Sequence, residues 1–312
     1  MANNITLAKK YIGLLDEVYQ AESCTSDLDS DASLTREGAN ANEIVVPKML
    51  LDGLGDYDRA SGYAGGDTTS RSRHPERGMY AAQLSVGGDM SLTWETVKFN
   101  FDRGRRFNVD AMDDEETMSL AFGKLAGEFE RTKVIPELDA FRFATYCKNA
   151  GVTPVSAALS TGSSVVSALR AATTAMDDAE VPKEGRILYI TSTLDGLIAD
   201  MDTTASREVL ARFSKKVLVP QARFYSAIDQ LDGKSSGEEK GGYKKADSGK
   251  DINFMVIHPS AVLQYTKHAI PKMISPDQNQ NADAWIYAYR SYGLAGAYDN
   301  KKTAIFAHVS AT

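Results

Sequence analysis

The sequence has little of what marks a metal site, a disulfide-stapled fold or a membrane span. Among its 312 residues are two cysteines and four histidines. Cys24 and Cys147 are far apart and lack CxxC spacing, which predicts two ordinary thiols in a reducing compartment. No apolar run approaches the roughly 18 to 20 residues that a membrane-spanning helix needs. These scarcities argue against a disulfide framework, a zinc-dependent fold and a membrane anchor.

An excess of positive charge is also missing. The chain carries 35 Lys and Arg against 42 Asp and Glu, for a net charge of −7. Such a protein repels polyanions as a whole, which counts against nucleic-acid binding as its main task. The first twenty residues lack the apolar region of a signal peptide, and their apolar positions predict a short amphipathic helix after Thr6.

Recognisable catalytic motifs are absent as well. No serine lies in a GxSxG elbow and neither cysteine lies in a nucleophile motif. The histidines lack metal-ligand spacing. The run "GLGDYD" lacks the third glycine and the preceding strand of a dinucleotide site. We therefore predict no catalytic residue, no cofactor and no metal ion.

One stretch, "VKFNFDRGRRFNVDAMDDEETMSL", carries a cluster of arginines. Arg103, Arg105 and Arg106 could grip phosphate, but arginines in a bent strand beside acidic residues favour ion pairs within or between subunits. Alternation from 97 to 109 predicts a half-buried strand, and Gly104 predicts a bulge or a bend in it.

The same stretch ends in an acidic cluster, Asp113, Asp114, Glu115 and Glu116. Carboxylates can bind a hard cation. Acids at a helix start, however, cap free N–H groups and complement the helix dipole, and no EF-hand glycine turn surrounds these four. The pattern predicts a helix cap.

The remaining periodicity predicts a mixed α/β body. A helical pattern runs over 114–149, with Pro136 expected to kink or split it. Later come a helix over 164–178, the strand "RILYIT", and a loop over 231–251 that is exposed and mobile by composition. The aromatic alternation at Trp285, Tyr287 and Tyr289 could stack bases, but it favours a packed sheet face. A terminal hairpin is predicted with its turn at Asp299 and Asn300.

Several segments together resemble the major capsid proteins of tailed bacteriophages with the Hong Kong 97 fold. They are "ANEIVVPKM", "DGLGDYDRASGY", "LTWETVKFNFDRGRRFNVDAMDDEE", "LAGEFERTKVIPELDAFRFA", "FMVIHPSAVLQYTKH" and "ADAWIYAYRSYGLAGAYDNK". The resemblance covers nearly the whole chain, and its motifs are specific in combination.

The resemblance implies an α+β capsid fold with a defined order of parts. These are an N-terminal arm over 1–46, an extended β-hairpin loop over 47–103, a peripheral domain over 104–152 with a spine helix over 114–149, an axial domain over 153–277, and C-terminal strands over 278–312 that return to the peripheral domain.

The resemblance also implies a structural protein that assembles into hexamers and pentamers of an icosahedral head. A separate scaffolding protein is implied because the N-terminal region is shorter than the fused scaffolding segment of some members. A portal and decoration proteins are further expected partners. The shell would enclose double-stranded DNA without sequence-specific binding, in the virion and, during assembly, in the host cytoplasm.

The resemblance implies that the arginines lie at contacts between subunits. The residues concerned are Arg103, Arg105 and Arg106, together with Arg71, Arg73 and Arg77 in the long loop tip over 65–89. Two alternatives remain at this point. One is an encapsulin-like compartment that encloses cargo enzymes, and the other is a soluble α/β enzyme that uses the 113–116 acids with a metal ion.

Overall fold

The computed structural model describes residues 23–30, 36–37, 42–51, 53, 59, 90–111, 126–151 and 154–311. The chain forms two compact units. The smaller comprises Asp31–Phe99, and the larger comprises Met1–Ser30 with Asn100–Thr312.

The smaller unit contains an antiparallel sheet in the order β1-β2-β3. Its strands are β1 (Arg36–Glu37), β2 (Glu43–Leu51) and β3 (Met90–Lys98). β2 and β3 form a nine-residue ribbon. Pro47 lies in β2 beyond the two residues that pair with β1, so its missing N–H costs no described β1–β2 hydrogen bond.

The larger unit contains two main sheets and a helical layer. The five-stranded sheet has the order β5-β13-β10-β6-β7. Its strands are β5 (Val155–Ser156), β6 (Ile187–Thr191), β7 (Lys215–Val219), β10 (Ile252–Ile257) and β13 (Ile305–Val309). Every residue of β6 and β13 is buried, which explains their nearly continuous apolar sequences.

Three helices lie between the strands of this region. They are α2 (Gly162–Asp178), α3 (Ser192–Met201) and α4 (Thr204–Leu210). Thr161 and Ser164 form a capping box at the start of α2. The predicted helix over 164–178 and the predicted strand "RILYIT" are confirmed as α2 and β6.

The second sheet of the larger unit has the order β11-β12-β4. Its strands are β4 (Phe101–Asp110), β11 (Val262–Ile274) and β12 (Ala284–Ala297). Two parts of the strand prediction over 97–109 are wrong. The alternation belongs to two strands, since β3 ends at Lys98 and β4 pairs with β12. Gly104 also makes no bulge, because the β4–β12 register is unbroken there.

A helix packs beside these sheets. Residues 126–129 are helical, Glu130–Val134 is π-helical, and α1 (Ile135–Lys148) follows. Pro136 lies in the first turn of α1, where its missing N–H is tolerated. The predicted interruption at Pro136 therefore takes the form of a wide π-helical turn just before it, not a break.

The predicted C-terminal hairpin is wrong. Asp299–Ala304 forms a 3-10 turn, but β12 pairs with β11 and β4, whereas β13 pairs with β10 in the other sheet. The physical reason is burial. β13 is apolar at nearly every position, and it lies between β5 and β10, where every one of its residues is buried.

The loop predicted over 231–251 is wrong in part: residues 232–241 form a mostly exposed turn, but a strand follows it. Strands β8 (Ile228–Leu231) and β9 (Gly242–Lys245) pair antiparallel there. The turn between them is ordered by side chains. Asp232 Oδ1 accepts hydrogen bonds from the backbone N–H groups of Lys234 (2.7 Å) and Ser235 (2.8 Å). In the part of the chain that the structure describes, no helix is both long and apolar enough to cross a bilayer.

Candidate functional site

Arg103 joins three separate segments of the larger unit. Its Nε donates to Glu137 Oε1 on α1 over 2.7 Å. Its Nη2 donates to the carbonyl oxygens of Leu231 (2.7 Å) and Gly242 (3.2 Å), the last residue of β8 and the first of β9. Arg103 thus ties the base of the β8–β9 turn to the sheet and to α1.

Arg105 lies two residues along β4 and therefore on the same face. Its Nη1 donates to the carbonyl oxygens of Glu239 (3.1 Å) and Lys240 (3.3 Å), and its guanidinium lies 6.0 Å from the Phe107 ring centroid. Gly233 has a φ of +71°, and a Cβ there would lie 3.3 Å from Arg105 Nη1. Glycine is therefore favoured both by backbone conformation and by the closeness of the arginine.

We call Arg103 and Arg105 the arginine clamp, because together they hold the β8–β9 turn by backbone carbonyls. Arg106 lies on the opposite face of β4 and donates to Asn108 Oδ1 over 3.1 Å. Of the two kinds of ion pair that the sequence left open, the described pair of Arg103 is within the chain. A contact of Arg103, Arg105 or Arg106 with another subunit stays a prediction.

The other predicted site residues lie outside the described residues. They are Arg71, Arg73, Arg77, Asp113, Asp114, Glu115 and Glu116. Their roles at subunit contacts and as a helix cap therefore stay predictions. Within the ranges that are described, no group of three or more His, Cys, Asp or Glu side chains is placed to hold a metal ion.

A cleft of about 660 Å³ lies beside the clamp. It is walled by β4, by the π-helical segment and by the β8–β9 turn, with Phe129 and Tyr289 among its apolar lining. Tyr289 and Phe129 pack edge to face, with ring centroids 6.1 Å apart. Tyr287 is fully buried in the same cluster, so the predicted packed sheet face is confirmed at these tyrosines.

Four ionisable side chains of the cleft, Arg103, Glu137, Arg105 and Tyr243, are bound to other groups of the same chain. Arg103 and Glu137 neutralise each other, and Arg105 is held by carbonyl groups. Burial raises the pKa of Tyr243 to about 12, and its hydroxyl donates to the Ala222 carbonyl over 2.8 Å. A phenol held protonated in this way acts as a donor and not as a base.

The β2–β3 ribbon of the smaller unit carries an exposed apolar face. Pro47 lies opposite Trp94 in the ladder, and Met49 follows on the same face. Trp94 is 49% exposed and Met49 is 52% exposed. Both are large apolar side chains, and such residues clustered at a surface mark an interaction site.

Sequence reasoning missed the partners of the clamp. Glu137, Leu231 and Gly242 are distant from Arg103 in sequence, and the carbonyl groups carry no side-chain signal. The signal that could have suggested this contact is the glycine at each end of the β8–β9 turn, Gly233 and Gly241. Both adopt positive φ close to Arg105.

No protein-family profile and no curated protein matches the chain. Solved phage structures do match it. One is the asymmetric unit of the bacteriophage PhiM1 mature capsid, with a TM-score of 0.55, 11% identity, and coverage of 86% of this chain and 82% of that one. A second is the capsid of cyanophage P-SCSP1u, with a TM-score of 0.51, 12% identity, and coverage of 89% and 86%.

A third match is the capsid of Staphylococcus phage Andhra, with a TM-score of 0.51, 9% identity, and coverage of 90% of this chain and 84% of that one. Sequence identity this low carries information about the fold alone. The alignment covers most of each matched phage chain, so the similarity extends over a whole subunit and not only a shared motif. The predicted mixed α/β architecture is confirmed, and the chain has the fold of phage capsid proteins.

Proposed function

We propose that this chain is a structural major capsid protein that self-assembles into the icosahedral head shell of a tailed double-stranded DNA phage or prophage. The observation that carries the proposal is the capsid fold, which extends over 86% to 90% of this chain in the three matches.

The exposed face of the β2–β3 ribbon supports the same role. A two-stranded ribbon cannot bury both of its faces within itself. Covering Trp94 and Met49 in a contact with another subunit would release about 25 cal/mol for each Å² of apolar surface removed from water. Repeated over many subunits, such contacts become cumulative and favour a closed shell.

The proposed partners follow from this role. The chain would contact copies of itself in hexamers and pentamers, with a scaffolding protein, a portal and decoration proteins joining during or after assembly. A net charge of −7 suits a container for DNA, because a negative subunit does not bind the packaged polyanion tightly. The role is structural and involves no catalysis.

Electron microscopy of the purified protein tests the proposal, combined with sedimentation velocity before and after nuclease treatment. Closed icosahedral shells of uniform size that protect double-stranded DNA are the expected result. Shells that contain protein cargo and no DNA would replace the phage assignment with an encapsulin-like compartment. A monomer or dimer that persists when a scaffolding protein is co-expressed would overturn the capsid role.

A further inference from the structure

Residues 23–30 connect the edges of the two main sheets in the larger unit, and we call this segment the clasp. The five-stranded sheet ends at β7, and the three-stranded sheet ends at β11. At the first edge, Lys215 Nζ lies 2.6 Å from Asp27 Oδ2. At the second edge, the Ser30 N–H donates to the Gln264 carbonyl over 3.0 Å.

The centre of the clasp is bound by one buried carboxylate. Asp139 of α1 is fully buried and accepts hydrogen bonds from Ser23 Oγ (2.9 Å), Thr25 Oγ1 (2.8 Å) and the Cys24 backbone N–H (3.0 Å). A fourth donor is Arg223 Nη1 at 3.3 Å. Three of these four donors belong to the clasp, so most of the hydrogen bonding of this charge depends on the segment staying in place.

Thr25 also links that carboxylate to a buried arginine. Arg142 is 2% exposed, and its Nη1 donates to Thr25 Oγ1 over 2.8 Å. The hydroxyl therefore accepts from Arg142 while it donates to Asp139. Buried charges are strongly destabilising when they lose their hydrogen-bonding partners. If Thr25 moved away, Asp139 would lose a hydrogen-bond donor and Arg142 would lose an acceptor at the same time.

The far end of the clasp is bound through Gln264 of β11. Its Nε2 donates to the Thr25 carbonyl (2.9 Å) and to Asp29 Oδ1 (2.5 Å), and its Oε1 accepts from Tyr146 on α1 (2.5 Å). The Ser30 hydroxyl donates to the Val262 carbonyl over 3.0 Å. The clasp is thus held at β7, at α1 and at β11.

We propose that the clasp locks the two sheets of the larger unit into one body, and that its release allows the sheets to move independently. The sheets share no strand among the described elements, and α1 contacts β12 of one and β13 of the other. The chain also crosses between the sheets twice, from β10 to β11 through Pro259–Ala261 and from β12 to β13 through Asp299–Ala304. Both crossings lie at the end of the three-stranded sheet where Val262 pairs with Ala297, so this sheet has room to rotate about that end. The clasp removes that freedom because it attaches to an edge strand of each sheet. This conformational lock is independent of the proposed function.

The test uses Asp139→Asn in the full chain, with two readouts. The first is alkylation at each cysteine, resolved by mass spectrometry. Burial raises the pKa of Cys24, within the clasp, to about 11, so its thiol reacts slowly in the native protein. The second is hydrogen exchange along the chain. We expect alkylation of Cys24 to become roughly tenfold faster or more, with Cys147 unchanged.

We also expect faster exchange in β7 and in residues 262–266 of β11, with β10 at the centre of its sheet unchanged. Release of Cys24 without faster exchange at either edge would overturn the proposal, since the clasp would then be a packed segment and not a lock. Equal acceleration in β10 would also overturn it, because that outcome reports general destabilisation.

Two further variants complete the design. Asp102→Asn removes an exposed carboxylate that pairs with Arg290 over 2.7 Å, and it should change neither readout. Ser30→Ala removes two hydrogen bonds at the β11 end, the one to the Val262 carbonyl and the one from the Gln264 N–H, and it strands no buried charge. It therefore tests the lock even if Asp139→Asn does not fold. It should accelerate exchange over 262–266 first. Unchanged exchange there would contradict the proposal.

Discussion

Arg103 Nε and Glu137 Oε1 lie 2.7 Å apart, so an ion pair joins the edge strand β4 to the first turn of α1. The two side chains are 26% and 12% exposed. The same guanidinium holds both sides of the β8–β9 turn through carbonyl groups. One side chain therefore fixes the positions of three segments that are remote in sequence.

Replacing Arg103 with Ala should lower the free energy of unfolding by about 2 to 4 kcal/mol, because the partly buried Glu137 and two carbonyl groups lose their donor. Urea denaturation measures the change. Arg131→Ala is the matched control, since Arg131 pairs with Glu128 at positions 49% and 59% exposed. Its effect should stay within about 0.5 kcal/mol. Equal effects of the two variants would contradict the role given to Arg103.

Gly104→Ala should destabilise the β4–β12 pair, because the new Cβ would lie 2.8 Å from the Tyr289 carbonyl oxygen. Relief of that contact requires a backbone shift, with a cost of about 1 to 3 kcal/mol in the free energy of unfolding. Gly296→Ala in β12 is the control, since its Cβ would meet nothing within 4 Å. Thermal unfolding of both variants should separate them, and a neutral Gly104→Ala would refute the close-approach explanation.

His308 should make stability fall on acidification. It is 2% exposed in β13, and burial lowers the pKa of its imidazole below the usual 6.5. The unfolded chain therefore takes up the proton at higher pH than the folded chain. The contribution to stability is complete above pH 6.5 and decreases as the pH falls toward the folded-state value.

Urea unfolding at pH 7.5 and at pH 5.5 measures this effect. His308→Gln should lose less stability than the original chain between the two pH values. His268→Gln, at an exposed position of β11, should keep the original pH dependence. If His308→Gln shows the same loss on acidification as the original chain, the buried imidazole is not the source of the effect.

Trp94→Ser should impair assembly while it leaves the folded chain nearly as stable, with a change in unfolding free energy of about 1 kcal/mol or less. Under the proposed function, the exposed ribbon face contributes more to contacts between copies than to the core. Sedimentation velocity measures the assembled fraction. Ile270→Ser changes another apolar residue, 51% exposed on β11, and serves as the comparison. Equal loss of assembly in both variants would remove the special role of the ribbon.

The sequence pattern predicts an element correctly where the regular spacing of its own apolar residues decides its structure. The helix at α2 and the strand at β6 follow from apolar spacing, because each element presents a regular face to the core. The same reasoning failed where a distant partner decides the structure. The sequence pattern pairs β13 with its neighbour β12, whereas in the structure β13 lies between β5 and β10, where all of its residues are buried.

The residues of the candidate site show the same limit. Gly104 suggested a bulge, yet the constraint on it comes from Tyr289 on the neighbouring strand. Residues 23–30 lie within the N-terminal arm that the resemblance implies over 1–46, and that assignment stays a prediction. Their order comes from Asp139, 114 residues beyond Thr25, which no local rule could supply.

The arginine clamp holds the β8–β9 turn by main-chain oxygens and not by side chains. Anchorage of that kind does not depend on the side chain at position 240, provided that Gly233 and Gly241 keep their backbone conformations. The turn can therefore change its outward chemistry without changing its attachment. Related proteins can therefore vary the surface of the β8–β9 turn at little cost in stability. The same turn is a defined position at which a foreign peptide can be displayed.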